Sequence, residues 1–355
     1  MITTNGYAAQ KGEHTVSPFT FERDPPKGNE MLIQVLYCGI CHSDLELLEN
    51  NWGITKYPCV PGHEAAGRVT SIGPEVTKFA VGDIVGVGCM IDSCLQCQAC
   101  KEGWENHCEG PNGPTMTYSG YLSPGDKEAA EYNTFGAWSD NLVVREEFVV
   151  KIPENMPLEE AAPLMCPGTD TFGPMRRFGD LSGKRIAILG LGGPGHMALQ
   201  FAKAMGAEYV AVVSTHAAKR DAAFQLGADE FIVSTDADQM RSFAKSFHHI
   251  LSTIPVPFDL AHYLALLRRR GTITVMGLLG PYKSILNNID LAARGLSLTG
   301  SMIGSVAETK EVLDFCQKHS ISPLVEVIDK KDINQALERL RVADVRFRFV
   351  IKIAE

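Results

Sequence analysis

The chain has 355 residues, with 33 Lys and Arg against 42 Asp and Glu for a formal net charge of −9; 45% of its residues are hydrophobic and 21% charged. At roughly 150 residues per domain this length suggests two domains, and the composition excludes an intrinsically disordered chain. An acidic balance without a basic run argues against nucleic acid or an anionic membrane as partner, and no stretch reaches the roughly 20 apolar residues that span a bilayer.

Met1 to Lys11 lacks the apolar core of a secretory signal, so the expected location is cytoplasmic. Glu30 to Tyr37 reads as a strand, and Gly39 to Ser43 as a tight turn carrying Cys41 and His42. Short β-like runs follow up to Val150, among them Ala66 to Gly73 and Asp83 to Val87, separated by Gly, Pro and polar turns. They predict a mostly β domain. After Pro153 helical and strand patterns alternate: a helix over Leu158–Leu164, strands Arg185–Leu189 and Tyr209–Val213 around a helix Pro194–Met205, then a helix Lys219–Leu226. The pattern continues with a strand at Phe231–Val233, a helix Leu260–Arg269 stopped by Gly271, a strand Thr272–Met276 and a helix Ala307–Lys318. Such alternation predicts a parallel sheet with helices on both faces. Val345 to Ile351 alternates like a half-exposed strand.

Ten cysteines in a reducing compartment call for a role other than disulfides. Cys94, Cys97, Cys100 and Cys108 fall within fifteen residues, a spacing that can close four thiolates around one zinc with no position left for substrate. Unrelated thiols and an iron–sulfur cluster are the competing readings. A second metal set has to be assembled from distant residues, and Cys41, His63, Glu64 and Cys166 are its candidates: two thiolates and an imidazole leave a fourth position open. Spacing alone does not separate these from packed residues.

Gly190-Leu191-Gly192-Gly193-Pro194-Gly195 directly follows an apolar strand and opens a helix. Glycines there permit a tight turn and let a pyrophosphate approach the helix N-terminus, so Gly190, Gly192, Gly193 and Gly195 are candidate cofactor residues. The acidic residue expected about 20 positions on, which binds a ribose hydroxyl, is missing. Ser214, Thr215, Lys219 and Arg220 stand there instead and favour a 2′-phosphate, hence NADP.

Together these residues resemble a zinc-dependent medium-chain alcohol dehydrogenase, in the cinnamyl alcohol dehydrogenase-like group, over nearly the whole chain. The stretches that carry the resemblance are Cys41-His42-Ser43-Asp44, Pro61-Gly62-His63-Glu64, the four-cysteine lobe, Gly190 to His196, Val213 to Thr215, Gly300 to Ser305 and Asp344 to Val350. The fold it implies is α/β: a GroES-like β-rich catalytic domain over 1–160, to which 305–355 returns, and a doubly wound Rossmann domain over 161–304. It also implies a homodimer, NADP(H) and two zinc ions per chain, one catalytic and one structural. By the same resemblance Cys41, His63 and Cys166 are catalytic zinc ligands, Glu64 either a residue that supports those ligands without binding the metal or an alternate ligand, and Asp44 the carboxylate that orients His63. Ser43 passes the proton, and His42 lies near the cofactor phosphates.

The chain departs from the family where Glu46 replaces a relay His and Asp170 a Thr against the nicotinamide. Met116 and Met302 replace two pocket aromatics, with Trp52 a further pocket member, which implies a wide and adaptable pocket. The expected activity is reduction of aromatic or medium aliphatic aldehydes. Reduction of an iminium or activated alkene is the alternative within enzymes, and nucleotide binding without catalysis the alternative outside them.

Overall fold

In the computed structural model, which describes residues 1–283 and 285–354, Met31, Ile33 and Val35 are fully buried while the side chains between them are half-buried. That alternation is the period of a strand. The strand runs Glu30–Ile40, beyond the expected end at Tyr37, because Cys38, Gly39 and Ile40 pair with Ile351, Val350 and Phe349 from the far end of the chain. The turn expected at Gly39 to Ser43 is therefore replaced by strand running into helix, with Cys41 as the N-cap of the helix His42–Leu48.

This strand is central to a seven-stranded sheet in the order Val325–Asp329, Arg348–Lys352, Glu30–Ile40, Ala65–Ile72, Ile84–Val87 and Val149–Lys151, with Asn141–Arg145 also paired to Glu30–Ile40. All its pairings are antiparallel except that of Val325–Asp329 with Arg348–Lys352. The C-terminal strand was expected to be half-exposed. It is buried instead, with Arg348 at 4% and Val350 at 0% exposure, because strands flank it on both sides. The sheet belongs to a unit made of Met1–Thr169 and Gly304–Glu355.

Asp170–Ile303 forms the other unit, a six-stranded all-parallel sheet. Its order is Glu230–Val233, Tyr209–Ser214, Arg185–Leu189, Phe247–Ser252, Leu267–Met276 and Ser297–Ser301, so the chain starts in the middle, runs to one edge, and returns to build the other half. This is the Rossmann winding, which places ligands at the carboxyl ends of the central strands. Buried Ala187, Leu189, Val213, Ile250 and Ile273 line its core.

One helix is shorter than expected. Leu260–Leu264 is helical, but Leu267–Met276 is strand. The amides of Lys245, Ser246 and Phe247 take the carbonyls of Ala265 and Leu266, which draws the chain into the sheet before the helix can extend. No helix among the described residues is long and apolar enough to cross a membrane.

Candidate metal and cofactor sites

The four-cysteine lobe sits between the short paired strands Met90–Asp92 and Thr115–Met116. Its sulfurs all lie within 4.8 Å of one another. Cys94 and Cys100 are 3.9 Å apart. The edge of a ZnS₄ tetrahedron with bonds of about 2.3 Å is roughly 3.8 Å, so the set fits zinc. Backbone amides point at the sulfurs: Cys97 N–H at Cys94 (3.3 Å), Glu109 N–H at Cys97 (3.3 Å) and Gly110 N–H at Cys108 (3.3 Å). Leu95 adopts φ 53°, which lets the chain curl its amides onto the Cys94 sulfur. The amides of Gln96 and Cys97 draw the Cys94 thiol down to about 6 and other amides lower Cys97, whereas burial pushes Cys100 up to about 12 and raises Cys108.

In the same unit Cys41, His63, Glu64 and Cys166 come together from three distant stretches, all buried, with their ligand atoms within 4.8 Å. Cys41 caps a helix, and His63 and Glu64 directly precede the strand Ala65–Ile72. Cys166 lies in a π turn, Leu164–Gly168, flanked by Pro163 and containing Pro167. Single π turns recur at functional positions because they re-aim one side chain within a helix. The two sulfurs are 3.9 Å apart, again a zinc tetrahedron's edge. Their hydrogen bond draws Cys41 well down and holds Cys166 up.

Asp44 is fully buried and accepts four hydrogen bonds: from Cys41 N–H (2.8 Å), Gly62 N–H (3.1 Å), His63 Nδ1 (3.2 Å) and the Tyr118 hydroxyl (2.7 Å). With Nδ1 so occupied, Nε2 is the nitrogen left to bind a metal. Burial opposes protonation of His63, yet the Asp44 charge and hydrogen bond hold it well above the ordinary range. Burial and the same charge push the Tyr118 hydroxyl up, which keeps it a donor. Ser43 Oγ is 3.3 Å from His63 Nε2, and His42 Nε2 is 3.0 Å from Glu46 Oε1 one helical turn on.

Glu64 Oε1 lies 3.9 Å from His63 Nε2, and its carboxylate pairs with the buried Arg348 guanidinium. Burial pushes Glu64 up while Arg348 pulls it back. Sequence reasoning missed Arg348 and Tyr118. Arg348 lay inside a matching stretch but alternated with aromatics like a solvent-facing charge. Tyr118 carries no spacing signal at all.

In the nucleotide unit the glycine loop joins the strand Arg185–Leu189 to the helix Gly193–Ala204, with Gly192 as N-cap and Pro194 in the first turn. Gly190 has φ 88°, and a Cβ on Gly195 would strike the Gly190 carbonyl, so both positions require glycine. Ser214 ends its strand, followed by Thr215. The Lys219 ammonium donates to Leu191 O at 3.0 Å, which brings its charge to the loop. Arg220 lies over the Phe231 ring at 5.2 Å. Asp170 stands in the first turn of the helix Thr169–Arg177. Of the expected pocket residues, Met116 and Trp52 belong to the catalytic unit and Met302 to the nucleotide unit; Trp52 packs with Leu47, Cys59 and Tyr118.

Residues 27–154 match the alcohol dehydrogenase GroES-like domain and residues 193–318 the zinc-binding dehydrogenase domain. The chain is 42% identical to 8-hydroxygeraniol dehydrogenase of Catharanthus roseus over 98% of its own length and 94% of the relative's. A solved cinnamyl alcohol dehydrogenase of Sorghum bicolor superposes with a TM-score of 0.93 at 41% identity, covering 99% of this chain and 98% of that one. The cinnamyl alcohol dehydrogenase of Helicobacter pylori, solved with NADP(H), gives a TM-score of 0.89 at 34% identity, with the same coverage of 99% and 98%. This two-unit fold with its two cysteine-based metal sets defines a zinc-dependent medium-chain dehydrogenase. The chain belongs to that family's cinnamyl alcohol dehydrogenase-like group.

Proposed function

We propose that the protein is an NADP(H)-dependent zinc alcohol dehydrogenase that acts as an aldehyde reductase on aromatic and medium aliphatic aldehydes. The observation that carries this is the set Cys41, His63 and Cys166, two sulfurs 3.9 Å apart beside an imidazole oriented by Asp44. Cys41, His63 and Cys166 would hold a zinc ion supplying Lewis acidity toward a carbonyl oxygen, and a bound NADP(H) would supply the hydride chemistry. Three protein ligands of this kind would leave a position open for substrate. Ser43, beside His63, passes the proton to or from the substrate oxygen, and Glu46 with His42 takes the outer position of the relay. Glu64, anchored by Arg348, is an alternate ligand behind the set.

Within the nucleotide unit Gly190, Gly192, Gly193 and Gly195 would hold the cofactor's pyrophosphate, and Asp170 would serve its nicotinamide. Ser214, Thr215 and Lys219 receive the 2′-phosphate: two neutral donors and one cation, with no carboxylate to repel it. Within the catalytic unit Met116 and Trp52 line a pocket that tolerates differences in ring substitution and chain length. Cys94, Cys97, Cys100 and Cys108 hold a second, structural zinc.

The homodimer is supported by the edge strand Ser297–Ser301, paired on one side only, and by exposed Ile285 and Ile289 on the segment leading into it. Light scattering on the eluting protein checks the dimer. Ten cysteines without a disulfide suit the cytoplasm. The activity is tested by following NADPH oxidation with a panel of aldehydes and a panel of enones. Turnover of aldehydes, lost in Cys166→Ala with the fold retained, supports the reading; turnover of enones alone sinks it.

A further inference from the structure

We infer that Tyr118 is a positioning residue of the metal centre formed by Cys41, His63 and Cys166, acting on His63 through Asp44. The inference rests on the proposed role of those three ligands. Tyr118 is 3% exposed, and its hydroxyl donates to Asp44 Oδ1 at 2.7 Å, the shortest of the four bonds that carboxylate accepts. Oδ1 is the same oxygen that holds His63 Nδ1. The Tyr118 ring also lies 5.7 Å from the imidazole, centroid to centroid, at 32°. One side chain therefore fixes both the carboxylate that orients the ligand and the space in which the ligand's ring can turn.

The Asp44 contacts tie separate stretches of chain. Cys41 N–H comes from a helix start, and Gly62 N–H and His63 from the stretch leading into Ala65–Ile72. Tyr118 comes from just beyond the lobe's second strand, where Thr117 N–H and Oγ1 are held by the carbonyls of Cys89 (3.0 Å) and Gly88 (2.5 Å). Without the hydroxyl, Asp44 Oδ1 keeps only Gly62 N–H and His63, and the carboxylate can rotate with the imidazole. A buried carboxylate that loses a donor redistributes its remaining bonds, and metal retention falls when the partner of a ligating imidazole is loosened.

Tyr118→Phe removes the hydroxyl and keeps the ring. Zinc release to a chelator is followed in the wild-type protein and the variant, with circular dichroism as the control for folding. Release from the Cys41–His63–Cys166 set is expected to accelerate roughly 10- to 100-fold, with release from the four-cysteine lobe unchanged. Cobalt placed in the same set should give a shifted visible spectrum. In an Asp44→Asn background, Tyr118→Phe should change release less than about twofold, because the effect travels through that carboxylate. Wild-type release and an unaltered cobalt spectrum in Tyr118→Phe overturn the inference. So do equal acceleration at both sites, additive effects with Asp44→Asn, or failure of the variant to fold, each of which marks a packing role alone. Zinc retention is read without substrate, so a protein that reduces no aldehyde yet shows these release kinetics fails the functional reading and keeps this one.

Discussion

Arg348 and Glu64 form an ion pair with both side chains almost wholly out of solvent, at 4% and 0% exposure. A buried pair of this kind gains little over an apolar pair of equal shape, but removing one partner strands the other charge in a low-dielectric interior. Arg348→Met is therefore expected to lower unfolding free energy by about 3–5 kcal/mol in urea titrations, whereas an exposed pair such as Lys331 and Asp329 should contribute almost nothing. A second prediction concerns Ser214. An aspartate there would repel the 2′-phosphate and remove a donor, so Ser214→Asp should shift the NADPH to NADH ratio of kcat/KM by at least about tenfold toward NADH. Unchanged preference in the variant would remove Ser214 from the cofactor site.

At the scale of elements, the lobe's four sulfurs are not equivalent. Amides stabilise the thiolates of Cys94 and Cys97, and burial disfavours those of Cys100 and Cys108. A depressed thiol contributes its stabilisation in full above its unfolded value and loses it as pH falls through the folded value, here about 6 for Cys94. After chelation at pH 7, iodoacetamide should modify Cys94 and Cys97 well before Cys100 and Cys108, as peptide mapping by mass spectrometry can show. A uniform rate would contradict the amide geometry. The lobe and the glycine loop were legible in the sequence because each is local: four ligands in fifteen residues, and a strand, turn and helix in immediate succession. What could not be read depended on partners far along the chain. Leucines at 260, 264 and 267 carry helical spacing, yet the carbonyls of residues 265 and 266 are claimed by residues 245–247. Strand formation through Ile40 likewise requires Phe349, and the burial of Arg348 requires Glu64.

For the whole molecule, the chain passes between the two units twice. The nucleotide unit is entered after Thr169 and left before Gly304. A side chain on Gly304 would collide with the Thr169 methyl, and Thr169 Oγ1 is 3.3 Å from Thr309 Oγ1, so entry and exit are immediate neighbours. Bringing such ends together costs almost no loop entropy, and segments with adjacent ends are readily exchanged between proteins. Joining Thr169 to Gly304 through a short Gly–Ser bridge should thus give a miniature protein of the catalytic unit alone. It is expected to show dispersed amide resonances and to bind metal at the four cysteines without any nucleotide. A collapsed spectrum would mean that the outer segment needs its insert in order to fold. If the miniature folds, the hydride apparatus is a removable cassette, and the metal-bearing body can be grafted onto another nucleotide-binding unit of different cofactor preference.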